Sequence, residues 1–251
     1  MRDNEMRKVS LEMQNLWKSF GQKKVLQGVS FSLYQGEILG LFGVSGTGKS
    51  VILRTIIGLE SLDRGKIFFE GRNVVGLSER ELLKIRTQIS YVFQNGALFD
   101  SLTVEENLAY PLKEHTLLSK EEIHQKVNAR LTQMDMSGCN DFYPNELSGG
   151  MQKRVGVARA IILDPQVILF DEPTTGLDPI NTRRFLEKIK ALKKTHPLTG
   201  IFVTHDIPSA FEISDRIAIL YQGKIYVIDT LENIRNSQDP LVKSFVKNEE
   251  N

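Results

Sequence analysis

The spacing of apolar residues changes period several times along the chain, and each change marks an element. From Val9 to Phe20 (VSLEMQNLWKSF) and from Val25 to Leu33 (VLQGVSFSL), apolar and polar positions alternate. That two-residue period predicts strands with one covered face, punctuated by Gly21 and Gly28. Glu37 to Gly43 (EILGLFG) is instead a short apolar run, which predicts a strand buried on both faces. The period then turns helical over Lys49 to Leu59 (KSVILRTIIGL), with a stop near Gly58. A strand over GKIFFEG and a helix over SERELLKIRTQI follow, with Ser78 placed to cap the helix and Glu81 to complete a capping box. ISYVFQ reads as a further strand.

From about residue 103 to 160 the pattern is almost wholly helical, through TVEENLAYPL, SKEEIHQKVNARLTQMDM and SGGMQKRVGVARAIIL. Beyond it lie a strand in QVILFDEP, a helix over PINTRRFLEKIKALKKTH, the strand TGIFVTH, the helix IPSAFEIS and the strands RIAIL and KIYVID. Strands separated by helices imply right-handed crossovers and a mainly parallel sheet. The helical block reads as an insertion between two halves of that sheet. Val92 to Leu112 (VFQNGALFDSLTVEENLAYPL) fits neither period: Leu98, Phe99 and Leu102 crowd among Asn-Gly and Asp-Ser turn signals. Periodicity leaves open a hairpin packing its own core or a surface kept apolar for a partner. In the tail, Leu241, Phe245 and Val246 share a helical face, which packs on the chain's own core or meets a second subunit.

Composition narrows the class without choosing a function. The chain has 251 residues, 41% hydrophobic and 25% charged, as expected of a globular protein. A net charge of +1 gives no electrostatic case for nucleic acid. The single Cys139 excludes an internal disulfide. The N-terminal stretch has no apolar core of signal-peptide length, and no run approaches the ~18 apolar residues of a membrane span. The expectation is a soluble cytosolic chain, or one that reaches a membrane only through a partner. Scattered Lys and Arg are expected on a solvated face.

Chemistry begins at Gly43 to Ser50 (GVSGTGKS), which fits G-x-x-x-x-G-K-[ST] between a buried strand and a helix. Its glycines let backbone N–H groups converge on phosphate oxygens, and the helix N-terminus adds its positive end. Gly43, Val44, Ser45, Gly46, Thr47, Gly48, Lys49, Ser50 and Val51 are the expected nucleotide contacts, Lys49 on the β- and γ-phosphates and Ser50 on Mg²⁺. VILFDEP then places Asp171 and Glu172 at the carboxyl edge of a buried strand, where open α/β sheets bind ligands. Asp171 suits an outer-shell Mg²⁺ role and Glu172 a base for the attacking water; the alternative is a capping role ahead of Pro173. Leu147 to Arg154 (LSGGMQKR) adds Ser148, Gly149 and Gly150 ahead of a helix, a second anion site of hydroxyl and bare backbone.

With these three motifs in this order, the chain resembles the ATP-binding subunits of ABC transporters over about residues 10 to 245. LSGGM resembles that family's signature, with Met151 where Gln is common. The resemblance implies a P-loop NTPase core of RecA-like α/β type with a mainly parallel sheet, an N-terminal antiparallel β portion and an inserted α-helical subdomain. It implies one domain over 1–251, with 8–93 and 160–230 as the nucleotide-binding core, 94–159 as the helical subdomain and 231–251 as a helical tail. ATP and Mg²⁺ are the implied cofactors. Gln94 matches the glutamine that senses Mg²⁺ and the attacking water, and His205 the switch histidine at the γ-phosphate. Asp178, in GLD, matches the loop through which two subunits touch. Phe20 matches the aromatic that stacks on adenine, with a plain core Phe as the alternative. Ser148, Gly149 and Gly150 would close over ATP held by the opposite subunit, so hydrolysis requires a homodimer.

A separate integral permease is also implied, docking near Ala97, Leu98, Phe99 and Leu102. NGALFDSLTV and LSGGMQKRVGVARAIILDP are similar to the maintenance-of-lipid-asymmetry branch. Those ATPases energise permeases that work with MCE-domain proteins to move phospholipid or related lipid across the envelope. The resemblance therefore implies a peripheral subunit on the cytoplasmic face of a bacterial inner membrane, an MCE-domain substrate-binding protein in the complex, room for a small regulatory subunit, and no nucleic acid. Lipoprotein-releasing and small-solute import systems are alternatives of the same class. A soluble ATPase acting on ribosome or DNA is a different one, but such proteins carry two cassettes or long coiled-coil insertions. A non-catalytic scaffold would be expected to lose Glu172, His205 or Ser148, and all three are present.

Overall fold

The computed structural model describes residues 7–195 and 198–246. In chain order the elements are β1 (Val9–Phe20), β2 (Lys23–Tyr34), β3 (Ile38–Phe42), α1 (Lys49–Ile56), β4 (Arg64–Phe69), β5 (Arg72–Asn73) and α2 (Glu79–Arg86). Then come β6 (Ile89–Val92), α3 (Val104–His115), α4 (Lys120–Gln133), α5 (Gly149–Ala160), β7 (Val167–Asp171) and α6 (Pro179–Thr195). The chain closes with β8 (Gly200–Thr204), α7 (Ile207–Ile213), β9 (Arg216–Tyr221), β10 (Lys224–Thr230), α8 (Leu231–Arg235) and α9 (Pro240–Val246). These form two units: the first holds the described residues up to Arg86 and from Leu198 onward, the second those from Thr87 to Thr195. β6 and β7 thus group with the helical segment, whereas the expected boundary ran at 94 and 159.

In the first unit the alternating N-terminal segments pair antiparallel in the order β2-β1-β4-β5. Leu11, Met13, Leu16, Val29, Phe31 and Leu33 are buried, as the alternation requires. The same unit contains β10-β9-β3-β8, with β3 parallel to both β8 and β9 and β10 antiparallel to β9. All five β3 residues are buried, which is why EILGLFG shows no alternation. Against β9 and α7, a cluster of Phe42, Ile207, Phe211, Ile217 and Ile219 takes in Val242 and Phe245 from α9. Phe42 meets Phe245 edge to face at 5.4 Å. The tail's apolar face, as far as Val246, packs on its own core; the rest of the expected 231–251 tail lies outside the described residues.

The Ser78 cap is half formed: the Glu81 carboxylate accepts from both the Ser78 N–H (3.1 Å) and its hydroxyl (2.7 Å).

In the second unit β6 and β7 run parallel, in register from Ile89↔Val167 to Val92↔Phe170. Helices α3 and α4 each begin with a complete capping box, Thr103 with Glu106 and Ser119 with Glu122. Their apolar faces and that of α5 bury Val104, Leu108, Leu112, Val127, Leu131, Val155 and Val157. No hairpin forms between Gln94 and Thr103; the segment turns and enters α3.

Candidate active site

In the first unit, β3 ends at Phe42 and the chain turns through Gly43–Gly48 into α1. A Cβ on Gly43 would lie 2.5 Å from the Leu220 carbonyl oxygen. Gly48 caps α1 at φ 107, in the left-handed region. No side chain caps α1 and no acidic residue sits in its first turn, in contrast to the Glu-closed starts of α3 and α4. A helix start of this kind favours an anion. The buried Lys49 ammonium donates to the carbonyls of Gly43 (2.8 Å) and Val44 (3.2 Å), so a positive charge already lies across the loop. Val44, Ser45 and Gly46 are exposed at its tip, while Thr47 bonds back to the Val44 carbonyl at 2.8 Å. Ser50 and Val51 are half-buried in the first turn of α1.

Two further candidates belong to this unit. Phe20, at the end of β1, is 46% exposed and so is not a core residue. The Lys18 ammonium lies 4.9 Å from its ring centroid and pairs with Glu60 at 2.7 Å. His205 follows β8 and is exposed, between buried Thr204 and the α7 cap Asp206. The Asp206 N–H donates to the Thr204 hydroxyl at 3.0 Å, which holds this turn.

In the second unit, the β6–β7 register brings two candidates to one sheet edge. Gln94 and Glu172 each lie two residues beyond the paired Val92 and Phe170. Buried Asp171 accepts a hydrogen bond from the Tyr91 hydroxyl at 2.7 Å, a second tie between the strands. Glu172 has φ 47, and the Thr175 hydroxyl donates to its carboxylate at 3.1 Å. Neither Asp171 nor Glu172 caps α6. That role belongs to Asp178, whose Oδ1 accepts from the N–H groups of Ile180 (3.0 Å) and Asn181 (2.9 Å). Those bonds, the Asn181 amide first, hold the Asp178 carboxyl below its ordinary range.

Ser148 caps α5, its hydroxyl accepting from the Met151 N–H at 3.4 Å, and the first turn carries no acidic residue. Gly149 is open, whereas a Cβ on Gly150 would meet the Asn181 side chain at 3.4 Å. Asn181 also donates to Asp178 Oδ2 at 2.6 Å, so the Ser-Gly-Gly turn and Asp178 share a neighbour.

The segment after Gln94 is held by polar groups that periodicity does not reveal. Fully buried Asn107 accepts from the Phe99 N–H (2.8 Å) and donates to the carbonyls of Phe99, Leu102 and Thr103. Arg159 donates to the carbonyls of Gly96 (3.1 Å) and Ala97 (2.9 Å) and lies 5.5 Å from the Phe99 ring centroid. With its backbone so fixed, Phe99 stays 48% exposed against an equally exposed Tyr110, while Leu98 and Leu102 are half-buried. Lys153 departs from the expected solvated face: it is buried. The available signal was α5 itself, whose Val155–Ala158 run leaves it no clean polar face.

Within the first unit, the loop and the start of α1 suit a phosphate group; within the second, Gln94 and Asp171 carry side-chain oxygens of the kind a hard cation takes. Among the described residues no three His, Cys, Asp or Glu side chains form a metal cage. Mg²⁺ commonly takes much of its coordination from phosphates and water. No helix among the described residues is long and apolar enough to cross a membrane.

The profile of a family described as "ABC transporter" matches residues 26–175. The "probable ribonucleotide transport ATP-binding protein mkl" of Mycobacterium tuberculosis is 39% identical over 95% of this chain, which spans 66% of that relative's length. The "intermembrane phospholipid transport system ATP-binding protein MlaF" of Haemophilus influenzae is 38% identical over 95% of this chain and 90% of its own. Among solved structures, a dimeric ATP-binding cassette in a post-hydrolysis state, bound to ADP and Pi, superposes with a TM-score of 0.80 at 31% identity, covering 88% of this chain and 98% of the other.

Proposed function

This chain belongs to the ABC transporter family, and on that premise we propose that it is the ATP-hydrolysing subunit powering a separate membrane permease that moves phospholipid or a related lipid between the inner and outer membranes. The observation that carries the nucleotide reading is the start of α1: glycine-lined, uncapped, and crossed by the Lys49 ammonium. ATP exchanges its phosphate oxygens for the loop carbonyls as partners of Lys49, and adenine stacks on the open face of Phe20. Ser50, Asp171 and Gln94 hold Mg²⁺, which when bound neutralises charge on the phosphates. Glu172 orients and polarises the attacking water, and His205 contacts the γ-phosphate. Ser148, Gly149, Gly150 and Asp178 act on the nucleotide of a second copy, so the working unit is a homodimer. ATP draws the copies together because it makes more contacts in the closed state.

The permease docks on the cytoplasmic side near Ala97, Leu98, Phe99 and Leu102, a placement supported by the exposed Phe99 and Tyr110 rings. An MCE-domain protein and a small regulatory subunit complete the complex. Support for lipid comes from the name of the Haemophilus relative and from NGALFDSLTV. The mycobacterial relative's name speaks of ribonucleotide, which gives a second reading of the cargo.

Two experiments test this. Glu172→Gln should lower ATP turnover by about 10²-fold or more while the variant still binds ATP; equal turnover in wild type and variant removes the enzyme reading. In the complex reconstituted with labelled lipid in both leaflets, ATP should redistribute lipid. Movement of labelled ribonucleotide instead would reassign the cargo.

A further inference from the structure

The ammonium of Lys153, on α5, donates to three backbone carbonyls: Gln94 (2.8 Å), Pro173 (2.9 Å) and Thr175 (2.6 Å). An ammonium has three N–H donors and no acceptor, so these bonds saturate it. Its partners are all carbonyls, and burial pulls its pKa below the ordinary lysine value. A buried cation without a carboxylate is costly to keep, so hydrophobic packing alone would not select it.

What the three carbonyls share is location. One belongs to Gln94 itself, and the other two flank Thr174 within the turn that begins at Glu172 and runs toward Asp178. Val92 and Phe170 are the last residues paired in the parallel ladder between β6 and β7. Gln94 and Glu172 therefore project from chain that no ladder between these strands ties together, just where their spacing matters. Lys153 replaces the missing ladder with one side chain bonded to both segments. Glu172 also sits at φ 47, which a residue bearing a Cβ keeps only when its surroundings over-determine it. The Thr175 N–H to the Glu172 carbonyl (3.2 Å), the Thr175 hydroxyl and the Lys153 bonds to both sides of Thr174 supply that constraint.

We infer that Lys153 is a positioning residue for ATP hydrolysis, clamping the backbone of Gln94 to that of the Glu172 turn from the helix that Ser148 starts. The inference rests on the reading of Gln94 and Glu172 as the groups acting on the attacking water. Lys153 touches neither nucleotide nor water; it sets where the two side chains that do so begin. Its effect belongs in the chemical step and not in nucleotide affinity, which the first unit's loop and Phe20 supply.

The test compares Lys153→Met, Lys153→Gln, Glu172→Gln and Asp164→Asn in the full chain within its purified complex. Asp164→Asn weakens the pairing with Lys126 and Arg130 in the same unit and serves as a purely structural comparator. Turnover at saturating ATP and affinity for a fluorescent ATP analogue are measured per mole of folded protein. Lys153→Met should lower turnover by about 10- to 100-fold, the range expected of a small misplacement of reacting groups. Its analogue affinity should stay within about twofold of wild type. Lys153→Gln, with two N–H donors, should fall between, and decides the matter if the Met variant does not fold. Asp164→Asn should melt earlier but turn over normally. Wild-type turnover in the folded Lys153 variants, with Glu172→Gln inactive, overturns the clamp and leaves the reading of Glu172 standing. Parallel loss of affinity and turnover likewise overturns it, as a structural role. Wild-type turnover in Glu172→Gln overturns the underlying reading and the clamp with it.

Discussion

The two units present their candidate chemistry by opposite means. In the first, the phosphate site is backbone: a glycine turn, an uncapped helix start and one lysine bonded to the loop's own carbonyls. In the second, Gln94, Glu172 and the apolar segment after Gln94 are held by side chains: Lys153 and Arg159 reach backbone carbonyls far along the chain, and Asn107 ties nearby ones. A backbone site tolerates changes of neighbouring side chains but not a Cβ that fills it. A side-chain clamp tolerates backbone variation but not loss of one donor. The helix starts repeat the contrast: α1 has no acidic first turn, whereas α3 and α4 close theirs with glutamates. An anion is welcome at the first and excluded from the others.

The largest expected effect breaks the backbone site directly. Gly48→Ala places a Cβ 2.8 Å from Val25 Cγ1 at φ 107, so the turn must shift. Strain of about 1–3 kcal/mol and loss of most analogue binding should follow, read by thermal melting and fluorescence titration. Full binding would show that the loop's shape is not what holds phosphate.

Asn107→Ala strikes the other kind of site. It removes the side-chain partner of the Phe99 amide and of the Leu102 carbonyl, while the Phe99 and Thr103 carbonyls keep their backbone bonds from Leu102 and Asn107, and should cost about 1–3 kcal/mol in denaturant unfolding with analogue affinity unchanged. A matching loss of affinity would erase the distinction between the units.

Phe99→Asp should leave stability within about 0.5 kcal/mol, since the ring is half exposed. It should reduce the membrane protein recovered with the chain; unchanged recovery would return Phe99 to local packing with Tyr110 and Arg159.

The smallest effect concerns His124, whose Nδ1 lies 2.8 Å from Glu105. The hydrogen bond His124 donates to Glu105, then the Glu105 charge, raises the His124 pKa above 6.5. The pair's stabilisation is therefore complete below 6.5 and lost as pH rises through the raised value. Burial opposes ionisation of Glu105, but its bonds from His124 and Asn140 prevail and lower its pKa below 4.5. That contribution is present above 4.5 and lost as pH falls through the lowered value. Melting temperature should be slightly higher near pH 5.5 than pH 8, and His124→Gln should flatten the difference.

Much of this is legible in the sequence. The β1 and β2 alternation, the apolar β3 and β7 runs and the helical block all appear where their periods predict, because burial on one face or two writes itself into residue type. The α6 cap was less legible: Asp171 and Glu172 were open to a capping reading until Asp178 was seen to accept from Ile180 and Asn181. Lys153 falls outside the general expectation that lysines face solvent, because residue type carries no mark of the carbonyls that enclose it.

From sequence alone came the phosphate loop, the signature turn and the order of strands and helices, since each is a local pattern whose chemistry lies within a few consecutive residues. Tertiary structure alone decided that Phe20 is exposed, that the tail folds back on its own core, and which side chains hold Gln94 and Glu172 in place. The Lys153 contacts span separations of 59, 20 and 22 residues, and no period in the chain records which distant carbonyls a buried donor will find.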